Sequence, residues 1–480
     1  MNKRFLITAR ILALIIGTAG VPLLSIAQWS TPVNISPGAV SAILNESMGS
    51  CIGVSGDTVH VVYADRFTLK TGAVYYVQSG DTGLTWSNPV VISTLNGNAF
   101  NPAIAVNGST VHVVWREIDT ITQHRTSWYR HSLDGGNTWG TAVVLDTVVA
   151  DWPAIAVSGN TVYVANDIVT SSSPYNTEIF FLRSPDNGAT WGAHQQLTFS
   201  TGRSEDEAIA AQGPDVYMSW NDNRTGQMQI FYKHSGDYGV TWGDDVVVIP
   251  PFDYGTMVSV NGENVDIPCA GAASGHYQIH LVQSSNSGVT WATDMDLTQD
   301  PANTYYYPYM VRDGSDLHMT YVKSGVGAEY LHSGNGGSSW DPPFDMGYSN
   351  ITPFIAFSRC VLHVIIPDSG RINYLRNPTG NAGPHCAPPA GISQPKSVEN
   401  QVKVYPNPAN RQTMIEISSS GKQEITLLEV FDPEGRIIIS SSFGKNNKII
   451  LDGKKMVAGL YFYKVFQNEK VLGTGKIVVE

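Results

Sequence analysis

SGDTGLTW (Ser79–Trp86) is an eight-residue phrase that returns five more times along this 480-residue chain. The later copies read SLDGGNTW (Ser132–Trp139), SPDNGATW (Ser184–Trp191), SGDYGVTW (Ser235–Trp242), SSNSGVTW (Ser284–Trp291) and SGNGGSSW (Ser333–Trp340). Successive closing tryptophans lie 53, 52, 51, 49 and 49 residues apart. Self-similarity at such a period belongs to propellers and solenoid arrays, in which each period is one supersecondary unit.

The flanks repeat with the phrase. Upstream lies a strand pair such as PAIAVNGSTVHVVW (Pro102–Trp115), PAIAVSGNTVYVAN (Pro153–Asn166) or AIAAQGPDVYMSW (Ala208–Trp220). Each half alternates apolar and small or polar residues about a Gly-containing turn, the pattern of a hairpin. An aromatic-rich third strand follows, as in EIFFLRS (Glu178–Ser184) and QIFYKHS (Gln229–Ser235). The phrase then turns the chain into a fourth, WSNPVVIS (Trp86–Ser93) or WGTAVVLD (Trp139–Asp146). Four antiparallel strands, A to D, make a propeller blade. A seventh A–B–C set, PFIAFSRCVLHVII then RINYLRN within Pro353–Asn377, lacks the phrase and a fourth strand. WSTPVNIS (Trp29–Ser36), nearly identical to Trp86–Ser93, supplies the missing strand from the other end of the chain. Closing the ring in this way leaves no open sheet edge.

The phrase S-x-D-x-G-x-[ST]-W resembles the Asp box of sialidases and their relatives. The resemblance implies a sialidase-like β-propeller. The expected fold is all-β: a seven-bladed β-propeller over 28–377, with the six-bladed sialidase propeller as the alternative, followed by a small Ig-like β-sandwich.

Both ends speak to location. Residues 1–27 read as a signal peptide, with Lys3, Arg4 and Arg10 before an apolar run from Ile11 to Leu24 and Ser-Ile-Ala before Gln28. That run is short and interrupted by Gly17, Gly20 and Pro22, and no other stretch approaches a membrane span. Residues 378–400 are Pro/Gly-rich and read as a linker. Residues 401–480 begin VKVYPNPA (Val402–Ala409), continue through ITLLEVFDPEGRIII (Ile425–Ile439) and GLYFYKV (Gly459–Val465), and end with GTGKIVV (Gly473–Val479). These short alternating strands suit a small antiparallel sandwich. Three motifs in order, YPNPA, GLYFYKV and the terminal G-x-x-K strand, are similar to the type A sorting domain of type IX secretion cargo. That similarity implies a Bacteroidetes-type bacterium, the type IX secretion machinery as a partner through residues 401–480, and a secreted or outer-membrane surface location.

Residues 28–400 hold 15 basic and 33 acidic residues, a net charge of −18. Such a surface repels polyanions, so nucleic acid is not an expected partner. No cofactor and no metal are expected, since no C-x-x-C spacing exists, and a monomer is expected. Of the four cysteines, Cys360 falls in the last A–B turn and Cys386 in the linker, where a disulfide between them is feasible.

Within the box, Ser and Asp oxygens suit acceptance of backbone N–H bonds, Gly permits positive φ and Trp packs inward. Asp81, Asp134, Asp186 and Asp237 give way to Asn286 and Asn335 in the last two copies. A turn tolerates that exchange, whereas a general acid does not. The box aspartates, with Trp86, Trp139, Trp191, Trp242, Trp291 and Trp340, are therefore expected to be structural. His60, His112, His318 and His363 share one strand B position, filled elsewhere by Tyr163, Tyr217 and Asp266. Blade rotation separates equivalent positions, so repeated packing is expected there.

Strand direction puts A–B turns and boxes at one end, the bottom. A ligand pocket is expected among the B–C and D–A loops at the top. The B–C loops contribute Asp65, Arg66, Arg116, Glu117, Asp222, Arg224 and Arg371 as candidate chemical groups. The D–A loops add Arg203, Glu205 and Asp206, and Trp152, Tyr254 and Tyr307 as candidate stacking platforms. Aromatics stacking on sugar faces and charged groups bonding hydroxyls suit carbohydrate. Sialidases clamp a sugar carboxylate with three arginines and use an Asp acid/base and a Tyr–Glu nucleophile pair. Their first arginine lies in an Arg-Ile-Pro motif, which this chain lacks. The expectation is an exported propeller binding extracellular glycan or another surface ligand. A glycoside hydrolase of exo-sialidase-like type is the alternative.

Overall fold

The computed structural model describes residues 29–378, except 46–48, 69–70, 95–96, 147–149, 250–254, 274 and 348–351, and beyond them chiefly the strands between 402 and 479. The expected signal peptide, Tyr254, Cys386 and nearly all of the expected linker lie outside the described residues. What is described is all strand and turn, without a helix. The chain divides into two compact units, Met1–Ala387 and Pro388–Glu480.

Counting repeats by their boxes, the second has strands A to D at Asn98–Asn107, Thr110–Ile118, Arg125–Ser132 and Val143–Asp146, paired antiparallel in that order. The third to sixth form separate four-stranded sheets of the same order, beginning at Ala150–Ser158, Ser204–Gln212, Ser259–Asn261 and Tyr305–Asp313. In the first, strand A is split into Ala42–Ile43 and Ile52–Ser55, both lying on Thr58–Thr68. One parallel contact, Gly72 to Asn98, joins this repeat to the second. The last sheet takes its outer strand from the far end of the chain, with Val33 opposite Tyr374 and Asn34 opposite Asn373.

The boxes weld neighbouring repeats. Ser79 Oγ donates to Asp81 Oδ1 at 2.7 Å and accepts the Gly83 N–H at 2.8 Å. The Thr85 N–H and hydroxyl both donate to the Asp81 carboxylate, at 2.8 and 2.6 Å. In the fifth copy Asn286 Oδ1 accepts the Thr290 N–H at 2.9 Å, while its Nδ2 donates to the Thr290 hydroxyl at 2.8 Å. The amide therefore reverses one bond and keeps the turn. Closing tryptophans pack edge-on against a strand C aromatic of the preceding repeat: Trp139 on Tyr76 (centroids 4.9 Å apart), Trp191 on Tyr129 (4.8 Å), Trp242 on Phe181 (5.1 Å) and Trp291 on Tyr232 (4.9 Å), whereas the corresponding strand C residue for Trp340 is Leu281. Such pairs contribute roughly 0.5–1.5 kcal/mol beyond their burial. Trp86 meets Tyr374 in this way, and Trp29, at the head of the strand lent to the last sheet, meets Tyr330. Gly136 shows why the box needs glycine. Its φ is +86°, and a Cβ there would stand 1.9 Å from the Tyr76 hydroxyl.

The histidine column belongs to the same weld. His60, His112, His318 and His363 each place Nδ1 2.6–2.7 Å from the hydroxyl of Tyr76, Tyr129, Tyr330 and Tyr374. Three of these hydroxyls reach box carbonyls of the next repeat: Tyr76 donates to Gly135 O, Tyr129 to Asn187 O and Tyr374 to Thr82 O, at 3.2–3.3 Å. Burial depresses the His60 pKa to about 4 and those of the other three to about 3, so all four are neutral links. Asp266, in the same column, is instead held by Arg312 Nη2 at 2.6 Å and Gln283 Nε2 at 2.7 Å.

Strands A of several repeats meet around one narrow cavity of about 90 Å³, lined by Ser50, Ala154, Ala208, Met257 and Tyr309 among others. The A strands are therefore the innermost. Cys360 is disulfide-bonded, whereas Cys51 and Cys269 are free and buried.

The C-terminal unit forms a three-stranded sheet (Val402–Tyr405, Gln412–Ile417, Lys448–Asp452) and a four-stranded one (Ile437–Ser442, Thr426–Phe431, Gly459–Gln467, Lys470–Val479). Ile415 and Leu451 of the first share a core with Leu428, Val430, Tyr463 and Val465 of the second. The motifs GLYFYKV and GTGKIVV thus become a hairpin, with Tyr463 opposite Gly475.

Candidate functional site

Near its top end, strand A carries a bulge. The register slips between Phe100 and Ala103, Asp151 and Ala154, Glu205 and Ala208, and Tyr306 and Tyr309. Inside each slip stands a non-glycine residue with left-handed backbone: Asn101 (φ 50°), Trp152 (52°), Asp206 (57°) and Tyr307 (53°). Bulges of this kind re-aim side chains and recur beside functional sites. Pro102, Pro153 and Pro308 follow three of them, but Glu207 follows Asp206.

Strand B supplies the other wall. Opposite the residue before each left-handed position stand Arg116, Asp167, Asn221 and Val322, in the second, third, fourth and sixth repeats. The corresponding residues elsewhere are Ala64, Ala270 and Pro367. Polarity at this inner position is therefore confined to three consecutive repeats, the second to the fourth.

Those repeats bring together a charged cluster. Asp151 is bonded by both Arg116 and Arg125. Asp151 and Asp167 stand directly opposite each other across the strands, a like-charge arrangement that destabilises unless it is compensated. The Arg116 guanidinium lies 4.0 Å from the Phe100 ring centre and 5.1 Å from that of Trp152. Asn221 Nδ2 donates to Asp206 Oδ2 at 3.0 Å, and Arg203 pairs with Glu205 at 3.3 Å. Glu207 is fully buried and Asp167 only 4% exposed. No side-chain donor reaches either oxygen of Glu207 or Oδ1 of Asp167, and beside Glu207 stand only the backbone N–H groups of Asp167 and of Glu207 itself.

Burial, then the charges of Asp151, Asp206 and Glu205, pushes the Asp167 carboxyl well above the ordinary aspartate range, against the pull of Arg116. Burial and the neighbouring Asp167 push Glu207 up likewise. Glu205 and Asp206 are also raised, chiefly by burial. The rim above carries exposed apolar side chains among polar ones: Tyr175, Phe199 and Ile121, on top loops of these repeats, are 52%, 77% and 89% exposed. Among the described residues no group of three or more His, Cys, Asp or Glu side chains is placed to hold a metal.

Several candidates from the loops turn inward. Asp65 accepts the Val40 and Ser41 N–H groups at 3.0 and 2.7 Å, anchoring the chain before the first repeat. Arg66 reaches over Phe100, 5.4 Å from its centre. Glu117 accepts from the Thr94 hydroxyl at 2.7 Å and from Trp115 Nε1 at 3.2 Å. Asp222 is saturated by Arg224 Nη2 (2.6 Å), Ser204 Oγ (2.8 Å) and Trp220 Nε1 (3.1 Å), and Arg224 continues to Asp245 at 2.7 Å. Arg371 is exposed at a B–C turn opposite Asp368, away from the cluster. Of the seven B–C loop candidates only Arg116 belongs to the cluster, with Arg66 sharing its Phe100 neighbour, whereas the D–A candidates Arg203, Glu205 and Asp206 all belong to it. Trp152 is in it, and Tyr307 holds the same bulge position in the sixth repeat.

Asp151 and Glu207 do not announce themselves singly, and Asp167 shows in the sequence only as one of the polar residues that open the B–C loops. The signal for them is columnar: aligned repeats show charge where sister repeats carry Ala, Val or Pro.

The sequence profile of the BNR repeat-like domain matches residues 25–319, and that of the secretion system C-terminal sorting domain matches residues 403–480. The chain belongs to the BNR repeat-like family. It is a BNR-repeat protein with a C-terminal sorting domain. No curated protein sequence matches it. Solved structures similar to this BNR-repeat protein include a Hadza microbial sialidase, at 15% identity over 60% of this chain and 66% of the sialidase, with a TM-score of 0.43. A PL25 ulvan lyase matches at 12% identity over 72% of this chain and 96% of its own, with a TM-score of 0.49. An α-L-arabinofuranosidase from Fusarium graminearum matches at 14% over 57% and 90%, with a TM-score of 0.43. Likenesses at this level bear on neither ligand nor chemistry.

Proposed function

We propose that this protein is an exported seven-bladed propeller that binds an extracellular glycan at the top of blades two to four. In this reading each repeat is one blade and Val33–Asn34 completes the last. The C-terminal unit is an Ig-like sandwich read by the type IX secretion machinery. One observation carries the binding site: the column that is apolar in four repeats becomes Arg116, Asp167 and Asn221 in three adjacent ones. Buried charge costs several kcal/mol per ion unless it is compensated, so its confinement to one sector has a reason beyond folding. Trp152 and Tyr175 offer aromatic faces to a sugar ring, with the partly exposed Glu205 and Asp206 beside them for hydroxyls.

A second reading, glycoside hydrolysis, is favoured by one feature. Carboxyls with raised pKa beside an ion-paired aspartate are the ingredients of an acid and its partner. Glu205 is the raised carboxyl that reaches solvent, with Arg203 beside it. Binding and hydrolysis separate by experiment. The purified exported protein, screened on a glycan array and then against fluorogenic glycosides, is expected to retain a glycan without releasing product. Product release that disappears in Glu205→Gln would establish the hydrolase instead. An array with no bound glycan would end both readings.

A further inference from the structure

We infer that the ligand of this mouth carries positive charge, and that its class is the amino sugars with free ammonium groups rather than the carboxylated or sulfated sugars. The inference rests on the glycan-binding reading above and adds the chemistry of the ligand. The cluster contains five carboxyl groups, on Asp151, Asp167, Glu205, Asp206 and Glu207, and its cations are already committed. Arg116 and Arg125 both bond Asp151, and Arg203 pairs with Glu205. Asp206 has the neutral amide of Asn221. Glu207, fully buried and lying against Asp167 and Asp206, has no cation beside it and only backbone N–H groups, those of Asp167 and of Glu207 itself, within reach.

A sugar carboxylate arriving here would have to compete with Asp151 and Glu205 for the paired guanidinium groups of the cluster and would lie among further acidic groups. Buried beside these carboxyls, an anion meets like-charge repulsion where they are ionised and no compensating cation where they are protonated. An ammonium has the opposite fortune, since Glu205 and Asp206 at the lip accept its hydrogen bonds. The carboxyls behind them then gain the counter-charge that the protein does not provide. The sugar body has Trp152 and Tyr175 to lie against, and a cation beside an aromatic face gains further. The surrounding surface points the same way, because residues 28–400 carry a net charge of −18 that draws cationic oligomers toward the mouth.

The probes are a glucosamine tetramer, its fully N-acetylated counterpart and a glucuronate-containing oligosaccharide of equal length. Titration calorimetry on the exported protein is expected to show the glucosamine tetramer bound at least about tenfold more tightly than the acetylated one, an advantage of about 1.4 kcal/mol. The advantage shrinks as salt rises, and the glucuronate oligomer shows no binding. Glu205→Gln removes most of the advantage, and Glu207→Gln, which alters no exposed group, reduces it. Equal binding of the acetylated and free tetramers, or preference for glucuronate, would overturn the charge inference while leaving a glycan-binding mouth in place. Binding of no glycan at all, on a full array, would remove the underlying reading with it.

Discussion

Asp134 and Asp167 are both aspartates in the same propeller, yet the two ends of the molecule use them in opposite ways. Asp134 lies in a solvent-exposed box, where the Thr138 hydroxyl and N–H and the Ser132 hydroxyl surround its carboxylate and draw its pKa down to about 2. The protein can replace such a residue by Asn, as it does at positions 286 and 335, because the bond to the neighbouring hydroxyl simply reverses. Asp167 sits inside the mouth with an unpartnered oxygen, other carboxyls around it and a pKa pushed up. The bottom repeats because it serves every blade equally. The top breaks the repeat in one sector, where Arg116, Asp167 and Asn221 replace the apolar residues of the other repeats.

The contrast is broken or sharpened most strongly by Asp151→Ala. It removes the anion bonded by Arg116 and Arg125 and leaves a largely buried guanidinium with only the neighbouring Asp167 as counter-charge, which costs about 3 kcal/mol. Urea unfolding should show a loss of that size, and a loss below about 1 kcal/mol would mean that the mouth is not a coupled unit. Trp139→Ala tests the other end. Removing the edge-on contact with Tyr76 should cost about 3 kcal/mol, with ligand binding retained in the folded protein.

Smaller effects follow from protonation. In Glu207→Gln the variant should melt a few degrees higher than the parent at pH 8. The native carboxyl has a raised pKa, so stability falls as pH rises above the ordinary glutamate value of 4.5, and the amide escapes that loss. The gain should vanish as pH descends toward 4.5. The buried histidines run with the opposite sign. Their native pKa values near 3–4 lie below the ordinary 6.5, so their contribution is intact above pH 6.5 and is lost as pH falls from there toward 3. Smallest of all is Asp134→Asn, for which Tm should move by no more than about 2 °C.

Much of the scaffold was legible from spacing and alternation. The strand lent by Trp29–Ser36 could be read because its sequence nearly copies Trp86–Ser93. The box could be set aside as structural because Asn occurs in two copies. The histidine column was legible as packing, although its Tyr partners and the cross-blade carbonyl bonds were not, since they join residues of different repeats. The mouth was harder to read. Loop polarity pointed to Asp65, Glu117 and Asp222, which are spent on backbone amides, a tryptophan and an internal arginine. The residues that converge lie within strands, at a bulge whose left-handed turn at Trp152 and Asp206 no local composition reveals. Alternation places side chains on a face, but a bulge resets that phase, and only register recovers it.

In the proposed function, recognition belongs to the broken sector of the top and not to the repeated bottom. Affinity for an array-identified glycan, measured by calorimetry in parallel on the parent protein, Trp152→Ala and Asp134→Asn, tests it most directly. The account predicts at least about a tenfold loss in Trp152→Ala and none in Asp134→Asn. Full affinity in Trp152→Ala together with loss in Asp134→Asn would contradict it and move the site to the boxes.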